Sequence, residues 1–209
     1  SVECPELLAA TGRPDLFIEI GSMPEKYNTT PIGKAFLDIT HKSFFLSIPD
    51  IAKFYVENGN KITLLPSEQA HPGHIRAFLL GSVLGAALYQ RGCILLHGSV
   101  VKKGDSVICF IGERGAGKST TATAFLAKDF QLITDDVVCF SRPNKLPLSI
   151  TPSFPSIKLL PDEVEKNLSV SANATRLLNV PSYKNYKKTK VLFKQNFSKK
   201  NCIVTHIFN

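Results

Sequence analysis

The stretch Ser106-Val-Ile-Cys-Phe-Ile-Gly-Glu-Arg-Gly-Ala-Gly-Lys-Ser-Thr120 joins an apolar segment to a glycine-rich turn. It contains the pattern G-x-x-x-x-G-K-S, which is typical of loops that bind nucleotide phosphates. Glycines let the backbone N–H groups of such a loop converge on one anion. Residues 107–111 indicate a strand and residues 120–128 a helix, which is the context that the motif requires. The predicted nucleotide-binding residues are Gly112, Glu113, Arg114, Gly115, Ala116, Gly117, Lys118, Ser119 and Thr120.

Two adjacent carboxylates, Asp135 and Asp136, follow the apolar segment 130–134, the next predicted strand after the loop and its helix. Lys118 is expected to contact the terminal phosphates, and the Ser119 hydroxyl is expected to bind Mg²⁺. One carboxylate can hold this Mg²⁺ while the other orients or deprotonates a hydroxyl group. An ordinary Asp-Asp turn is the alternative, and the neighbouring phosphate loop favours the functional interpretation.

His97 ends the apolar segment 93–97, which is predicted to pair beside the phosphate-loop strand. In that position an imidazole can polarise a group or relay a proton near Asp135. A structural histidine at a strand end is the alternative.

The chain divides by composition into a small strand-rich N-terminal region (1–66) and a core (67–209) with a basic C-terminal segment. The N-terminal region contains apolar, β-branched runs and the turn signal Asn58-Gly59-Asn60, which predicts a hairpin. The polar segment 67–73 predicts the boundary, and residues 74–91 predict one buried helix. The predicted fold class is α/β.

The net charge of +8 is placed unevenly. No acidic residue follows Glu165. A solvated face or a flexible lysine-rich loop is the more common explanation, and a surface for an acidic or phosphate-rich partner is the alternative. No nucleic-acid partner is expected, because two tyrosines near the lysines do not form a base-recognition pattern. The lysines in question are Lys184, Lys187, Lys188, Lys190, Lys194, Lys199 and Lys200.

Five scattered cysteines without metal-ligand spacing indicate reduced thiols. The first residues lack the basic start and apolar core of a signal peptide. The longest apolar stretch, 77–89, is shorter than the roughly 20 residues that span a bilayer. We therefore expect a cytoplasmic protein with no membrane partner.

Three segments together resemble the HPr kinase-like family, whose fold is that of the phosphoenolpyruvate carboxykinase catalytic core. They are Leu96-His97-Gly98, the loop from Gly112 to Ser119, and Leu132-Ile133-Thr134-Asp135-Asp136-Val137. Their order and the short gap between the loop and the double Asp match the family. Pro155-Ser156-Ile157-Lys158-Leu159 is similar to the small HPr-kinase-like enzymes found beside peptide natural-product genes. Some of these, the lasso-peptide kinases, phosphorylate a serine of a precursor peptide.

The resemblance implies a P-loop kinase of the HPr kinase/phosphoenolpyruvate carboxykinase type that uses ATP and Mg²⁺. It implies that Lys118 and the loop glycines hold the phosphates, and that Ser119 and Asp136 hold Mg²⁺. Asp135 would be the general base, with His97 nearby, toward a serine of a peptide or protein.

The chain departs from the HPr kinase pattern at two places. Thr120 stands where HPr kinase has a glutamate, and no glycine follows Gly117, although HPr kinase has a glycine-rich signature there. The resemblance therefore does not extend to docking of HPr or to reverse phosphorolysis. Two alternatives stay open: a small-molecule kinase or carboxykinase-like enzyme, and a non-catalytic nucleotide-binding module with a basic partner-binding tail. The acceptor, the nucleotide preference and a homo-oligomeric state also stay open.

Overall fold

The computed structural model describes residues 3–9, 11–28, 33–141, 147–160, 162–164, 176–178, 189–193 and 195–209. The chain forms two compact units. One ends at Gly92, and the other contains Cys93–Asn209 together with Pro5–Leu8. Both units combine a sheet with helical segments, so the described chain is a mixed α/β protein dominated by strands.

The first unit is built on a five-stranded sheet. Its strands are β1 (Phe17–Ile20), β2 (Phe36–Ile39), β3 (Ser43–Ile48), β4 (Ala52–Glu57) and β5 (Lys61–Pro66), and a 3-10 turn lies at Glu25–Tyr27. The strand order is β1-β5-β4-β3-β2, with β1 parallel to β5 and the other pairs antiparallel. The predicted hairpin is confirmed: β4 and β5 are joined by a turn in which Asn58 has φ 52° and Gly59 has φ 67°.

One helical segment belongs to the first unit. It consists of α1 (Pro72–Phe78), a π-helical turn (Leu79–Val83) and α2 (Leu84–Gln90), which confirms the helix predicted over 74–91. Four of its buried side chains recur at every fourth position, as expected for one packed face of a helix. They are Ile75, Leu79, Val83 and Ala87.

This helical segment is attached to the turn of the hairpin. The Gly59 N–H donates to Gln90 Oε1 at 2.7 Å, and Arg91 Nε donates to the Gly59 carbonyl at 2.5 Å. A Cβ at Gly59 would lie 2.9 Å from the Ala87 carbonyl oxygen, so the turn approaches the helix too closely for any other residue. The compact units therefore divide after Gly92, whereas the polar segment 67–73 predicted the boundary.

The second unit holds two sheets and a helix. Its elements are β6 (Ile94–Lys103), β7 (Ser106–Ile111), α3 (Lys118–Leu126), β8 (Gln131–Phe140), β9 (Ser149–Thr151), β10 (Ser156–Leu159), β11 (Arg176–Leu178), β12 (Thr189–Leu192), β13 (Cys202–Ile203) and β14 (His206–Phe208). The larger sheet has the order β13-β9-β8-β6-β7-β14, and the smaller one has the order β10-β12-β11. The expectation that the strand carrying His97 pairs with the phosphate-loop strand is confirmed.

The position of β6 determines which residues meet. It lies between β7 and β8 and is antiparallel to both, so β7 and β8 run in the same direction. The carboxyl end of β7 therefore lies level with the middle of β8, which continues to Phe140. Ile111, Gly98 and Asp136 form one row across the three strands, and Phe110, Ser99 and Asp135 form the next.

The larger sheet packs apolar side chains on both faces. On one face Val101 and Leu132 form a buried cluster with Ala122 and Leu126 of α3 and with residues of β10 and β12. On the other face alternate residues such as Val100 pack in a second cluster. Packing on the first face holds α3 against the sheet, so that its first turn lies beside the end of β7.

A buried ion pair fastens the segment Pro5–Leu8 to the second unit. Lys190 Nζ lies 3.3 Å from Glu6 Oε1, and the two residues are only 2% and 1% exposed. The ammonium also lies 5.4 Å from the centre of the Phe154 ring. The expectation that Lys190 binds an acidic partner is therefore wrong, because its charge is already neutralised inside the unit.

Two other lysines of the basic segment differ from Lys190, which is buried. Lys199 and Lys200 are exposed. Lys184, Lys187, Lys188 and Lys194 lie outside the described residues.

We expect Glu6→Gln to lower the free energy of unfolding by about 3–5 kcal/mol, because it leaves the Lys190 charge buried without a compensating carboxylate. Urea denaturation followed by circular dichroism measures the change. Glu19→Gln is the matched control, because Glu19 pairs with Lys61 at 2.8 Å in a solvent-exposed position and should matter little. Equal effects of the two substitutions would contradict the structural role of the buried pair.

Candidate functional site

The glycine-rich turn between β7 and α3 adopts a conformation that glycine favours. Gly112, Gly115 and Gly117 have φ values of 137°, 92° and 82°, all in the region that other residues rarely adopt. A Cβ added at Gly115 or Gly117 would meet no atom within 4 Å, so this part of the loop borders open space. The loop is therefore held in a glycine-dependent conformation with an open side, and successive N–H groups of such loops can bind an anion.

Lys118 is the first residue of α3 and is 8% exposed. Its Nζ donates to the carbonyl oxygens of Gly112 at 2.9 Å and Glu113 at 2.6 Å. The lysine thus curls over its own loop and places a positive charge inside the turn. An anion entering the loop would find this ammonium together with the N-terminus of α3, whose orientation favours negative charge.

The remaining predicted loop residues differ in exposure. Glu113, Arg114 and Ala116 are exposed, and the Ala116 N–H closes a turn on the Glu113 carbonyl at 3.3 Å. The Thr120 hydroxyl donates to the carboxylate of Glu163. Glu163 also accepts the Leu160 N–H at 3.0 Å, which joins the end of β10 to the first turn of α3.

Asp135 is the buried centre of the site. Its Oδ1 accepts hydrogen bonds from the hydroxyls of Ser99 at 2.6 Å and Ser119 at 2.9 Å. Its Oδ2 accepts the main-chain N–H of Lys158 at 3.1 Å. Burial raises the pKa of Asp135, and the three hydrogen bonds oppose this shift only in part. The chain thus holds a carboxyl at a position where its charged form is disfavoured.

Asp136 adopts an unusual backbone conformation for a strand residue. Its φ of 75° lies in the left-handed region, which is uncommon for residues with a side chain. Along a regular strand successive side chains point to opposite faces, yet both aspartates contact Lys158. Asp136 Oδ2 lies 2.5 Å from Lys158 Nζ, while Asp135 accepts the N–H of the same lysine. The irregular backbone at Asp136 therefore brings two consecutive carboxyls to one neighbour.

His97, on β6, lies next to Asp136, on β8. Its Nδ1 is 2.8 Å from the Asp136 main-chain oxygen and 3.5 Å from Asp136 Oδ1. A carbonyl oxygen only accepts, so the His97 Nδ1 carries the hydrogen and donates it. The adjacent Gly98 has no room for a side chain, because a Cβ there would lie 2.6 Å from the Phe110 carbonyl oxygen and 2.8 Å from Val138 Cγ2.

The structure thus brings together the residues that the sequence predicted separately. The glycine-rich loop, the double Asp in the middle of β8 and His97 of β6 meet beside the carboxyl end of β7. One pairing differs from expectation: Ser119 contacts Asp135, whereas the sequence-based prediction joined it to Asp136 in a metal site. The first carboxyl is therefore on the loop side of the site, and the second faces His97 and Lys158.

Sequence reasoning missed three contributors. Ser99 is two residues beyond His97 on β6, and only the strand register places it opposite Asp135. Lys158 lies in the segment 155–159, whose resemblance to the peptide-kinase group implies no particular role for this lysine. Glu163 follows β10 by a few residues, and no sequence motif predicts its contact with Thr120.

Comparison with known proteins adds no assignment. A scan against protein-family models gives no match, and a search of the curated proteins finds no relative. The likeness to HPr kinase-like proteins therefore rests on the quoted motifs.

Two further features bear on the site and its surroundings. The described ranges contain no group of three or more His, Cys, Asp or Glu side chains suited to a metal ion. A phosphate-bound Mg²⁺ needs only one or two protein ligands, so this finding does not bear on such an ion. Among the residues that the structure describes, no helix is both long and apolar enough to cross a membrane.

The raised pKa of Asp135 has a consequence for stability. The unfolded carboxyl has a pKa of about 3.9, so between that value and the raised native pKa the native state binds the additional proton. The contribution of Asp135 to stability is therefore most favourable below about pH 4 and declines as the pH rises through its native pKa. Asn does not ionise, so the free energy of unfolding of Asp135→Asn relative to wild type should increase over that interval.

Urea denaturation in metal-free buffer, repeated at several pH values, measures this difference. Asp105→Asn, in the exposed turn after β6, is the matched control for loss of one carboxylate. A difference between Asp135→Asn and wild type that stays constant from about pH 4 to about pH 7 would contradict a pKa raised by burial.

Proposed function

We propose that this protein is a Mg²⁺-dependent kinase that transfers the γ-phosphate of ATP to a hydroxyl group, with a serine of a peptide or protein as acceptor. We also propose that its second unit is a P-loop kinase core of the HPr kinase type. One observation carries the proposal: the hydroxyl of Ser119, directly after the loop lysine, donates to the buried Asp135 of the next strand. This contact joins the two elements that phosphate-loop kinases use to hold a metal–nucleotide complex.

The loop and Lys118 would bind the nucleotide phosphates. The positive φ angles of the glycines leave the backbone N–H groups available to one anion, and the N-terminus of α3 adds its partial positive charge. Lys118 already donates to two carbonyls in the loop and can exchange these weak partners for phosphate oxygens.

Ser119 and Asp135 would hold Mg²⁺, with Asp136 beside them. Hydroxyl and carboxylate oxygens are the ligands that Mg²⁺ prefers, and they are 2.9 Å apart on the loop side of the site. When bound, the ion neutralises charge on the β- and γ-phosphates. The hydrogen bonds from Ser99 and from the Lys158 N–H fix the orientation of Asp135 for this role.

Asp136 would act on the acceptor side. Its side chain is 35% exposed, while Asp135 is buried and uses both oxygens in hydrogen bonds. We therefore propose the reverse of the sequence-based roles, with Asp135 toward the metal and Asp136 as the general base. Asp136 would accept the hydroxyl proton as the acceptor oxygen bonds to the γ-phosphorus and the bond to the β-phosphate oxygen breaks. His97 would hold Asp136 in place through its main-chain oxygen.

The acceptor class and the compartment rest on other features. The resemblance of the segment 155–159 to the peptide-kinase group supports a peptide serine, and the net charge of +8 supports an acidic acceptor. All five cysteines are free thiols, which supports a cytoplasmic location.

We expect Lys118→Ala to weaken binding of Mg-ADP by about tenfold or more and to abolish phosphate transfer, because the phosphates lose a charged hydrogen-bond donor. Isothermal titration calorimetry measures binding, and phosphate incorporation into a library of serine-containing peptides measures transfer. Lys102→Ala is the control, because Lys102 pairs with Val107 and Gln131 at the far end of β6. A Lys118→Ala protein that binds and transfers like the control would overturn the nucleotide site.

The two aspartates should respond differently to metal. We expect the activity of Asp135→Asn to recover in part at raised Mg²⁺ or with Mn²⁺, because a weakened metal site fills at higher metal concentration. Asp136→Asn should not recover, because added metal cannot replace a proton acceptor. Steady-state rates over a metal titration distinguish the two. The same metal response in both variants would contradict this division, and full activity in both would mean that the double Asp is structural.

A further inference from the structure

Lys158 is attached to both aspartates by different parts of the residue. Its main-chain N–H donates to Asp135 Oδ2 at 3.1 Å, and its ammonium lies 2.5 Å from Asp136 Oδ2. The main-chain contact is fixed by β10, which pairs with β12 in the smaller sheet. The ammonium stands on a flexible stem that is 26% exposed, so it can change partner while the backbone contact is kept.

The phosphate loop is within reach of this ammonium. One carboxylate group, that of Asp135, accepts from Ser119 Oγ through one oxygen and from the Lys158 N–H through the other. The peptide N–H of Lys158 is therefore separated from the loop hydroxyl by the width of a single carboxylate. The lysine ammonium stands on a flexible four-carbon stem, which is long enough to cross the width of one carboxylate.

The negative charge of a bound nucleotide would attract the Lys158 ammonium away from Asp136. Lys118 places its ammonium at the start of the loop, near Gly112, where it would contact the β-phosphate that ATP and ADP share. Lys158 places a second ammonium at the row of Asp136, directly across β6 from Ile111, the last residue before the loop. A γ-phosphate bound beside Asp136 would carry more negative charge than the single carboxylate of Asp136. The Lys158 ammonium would therefore bind the phosphate more strongly than it binds the carboxylate.

We infer that Lys158 is the cation that binds the γ-phosphate, so that it distinguishes ATP from ADP and releases Asp136 toward the acceptor when ATP binds. This rests on the proposed function, because it takes the phosphate loop as a nucleotide site. It assigns the two lysines to different phosphates: Lys118 serves both nucleotides, and Lys158 serves only the triphosphate.

Binding measurements without turnover test the assignment. Isothermal titration calorimetry with Mg²⁺ compares ADP with the non-hydrolysable ATP analogue adenylyl imidodiphosphate in four proteins: wild type, Lys158→Met, Lys158→Arg and the control Lys102→Met. We expect Lys158→Met to lose about tenfold to a hundredfold in affinity for the analogue, as for one charged hydrogen bond, while its ADP affinity stays within about twofold. Lys158→Arg should bind the analogue nearly as wild type does, because the guanidinium keeps the charge. The control should bind both nucleotides as wild type does.

Three results would overturn the inference. An unchanged affinity of Lys158→Met for the analogue would mean that the ammonium stays on Asp136. An equal loss of affinity for ADP and for the analogue would mean that Lys158 maintains the structure of the site and does not bind the γ-phosphate. An arginine variant as weak as the methionine variant would exclude a charge effect. A wild-type protein that binds neither nucleotide would instead refute the proposed function itself, which keeps the two failures apart.

Discussion

The hydrogen bond between Ser119 and Asp135 is the contact on which the arrangement of the site depends. It exists because β6 lies between β7 and β8 and is antiparallel to both, which places the carboxyl end of β7 level with Asp135 and Asp136 in the middle of β8. The loop after β7 and the carboxyl pair of β8 are then only a hydrogen bond apart, at 2.9 Å. His97 and Ser99 belong to β6, the strand between β7 and β8, and they therefore contact Asp136 and Asp135. One topological choice thus assembles elements that are far apart in the sequence.

Several features of the site around Asp135 and Asp136 are unfavourable for stability. Asp135 is a carboxyl whose charged form is disfavoured by burial, and Asp136 takes a backbone conformation that suits glycine better. Gly98 leaves the centre of β6 without a side chain because no other residue fits there. Such features persist where the surrounding packing stabilises them, and they gather at functional sites. The two apolar clusters on the faces of the sheet provide that packing in this protein.

The sequence allowed much of the fold to be predicted, because its signals are local. The glycine pattern before Lys118, the turn at Asn58 and the apolar runs of β7 and β8 depend on a few neighbouring residues each. Contacts between distant residues could not be predicted in this way. The burial of Lys190 depends on Glu6, at the other end of the chain, and composition alone indicated an exposed basic residue. The contact of both Asp135 and Asp136 with Lys158 depends on the left-handed backbone of Asp136 within β8, which the sequence pattern does not predict.

The central claim is that Ser119 and Asp135 form a metal site that is completed by a nucleotide. Electron paramagnetic resonance of Mn²⁺, titrated into the protein with and without ADP, tests it most directly because bound and free Mn²⁺ give different signals. The account predicts that Mn²⁺ binds tightly only when ADP is present, and that Ser119→Ala weakens this binding while ADP alone still binds. Mn²⁺ binding that does not depend on ADP, or that is the same in Ser119→Ala, would contradict the account.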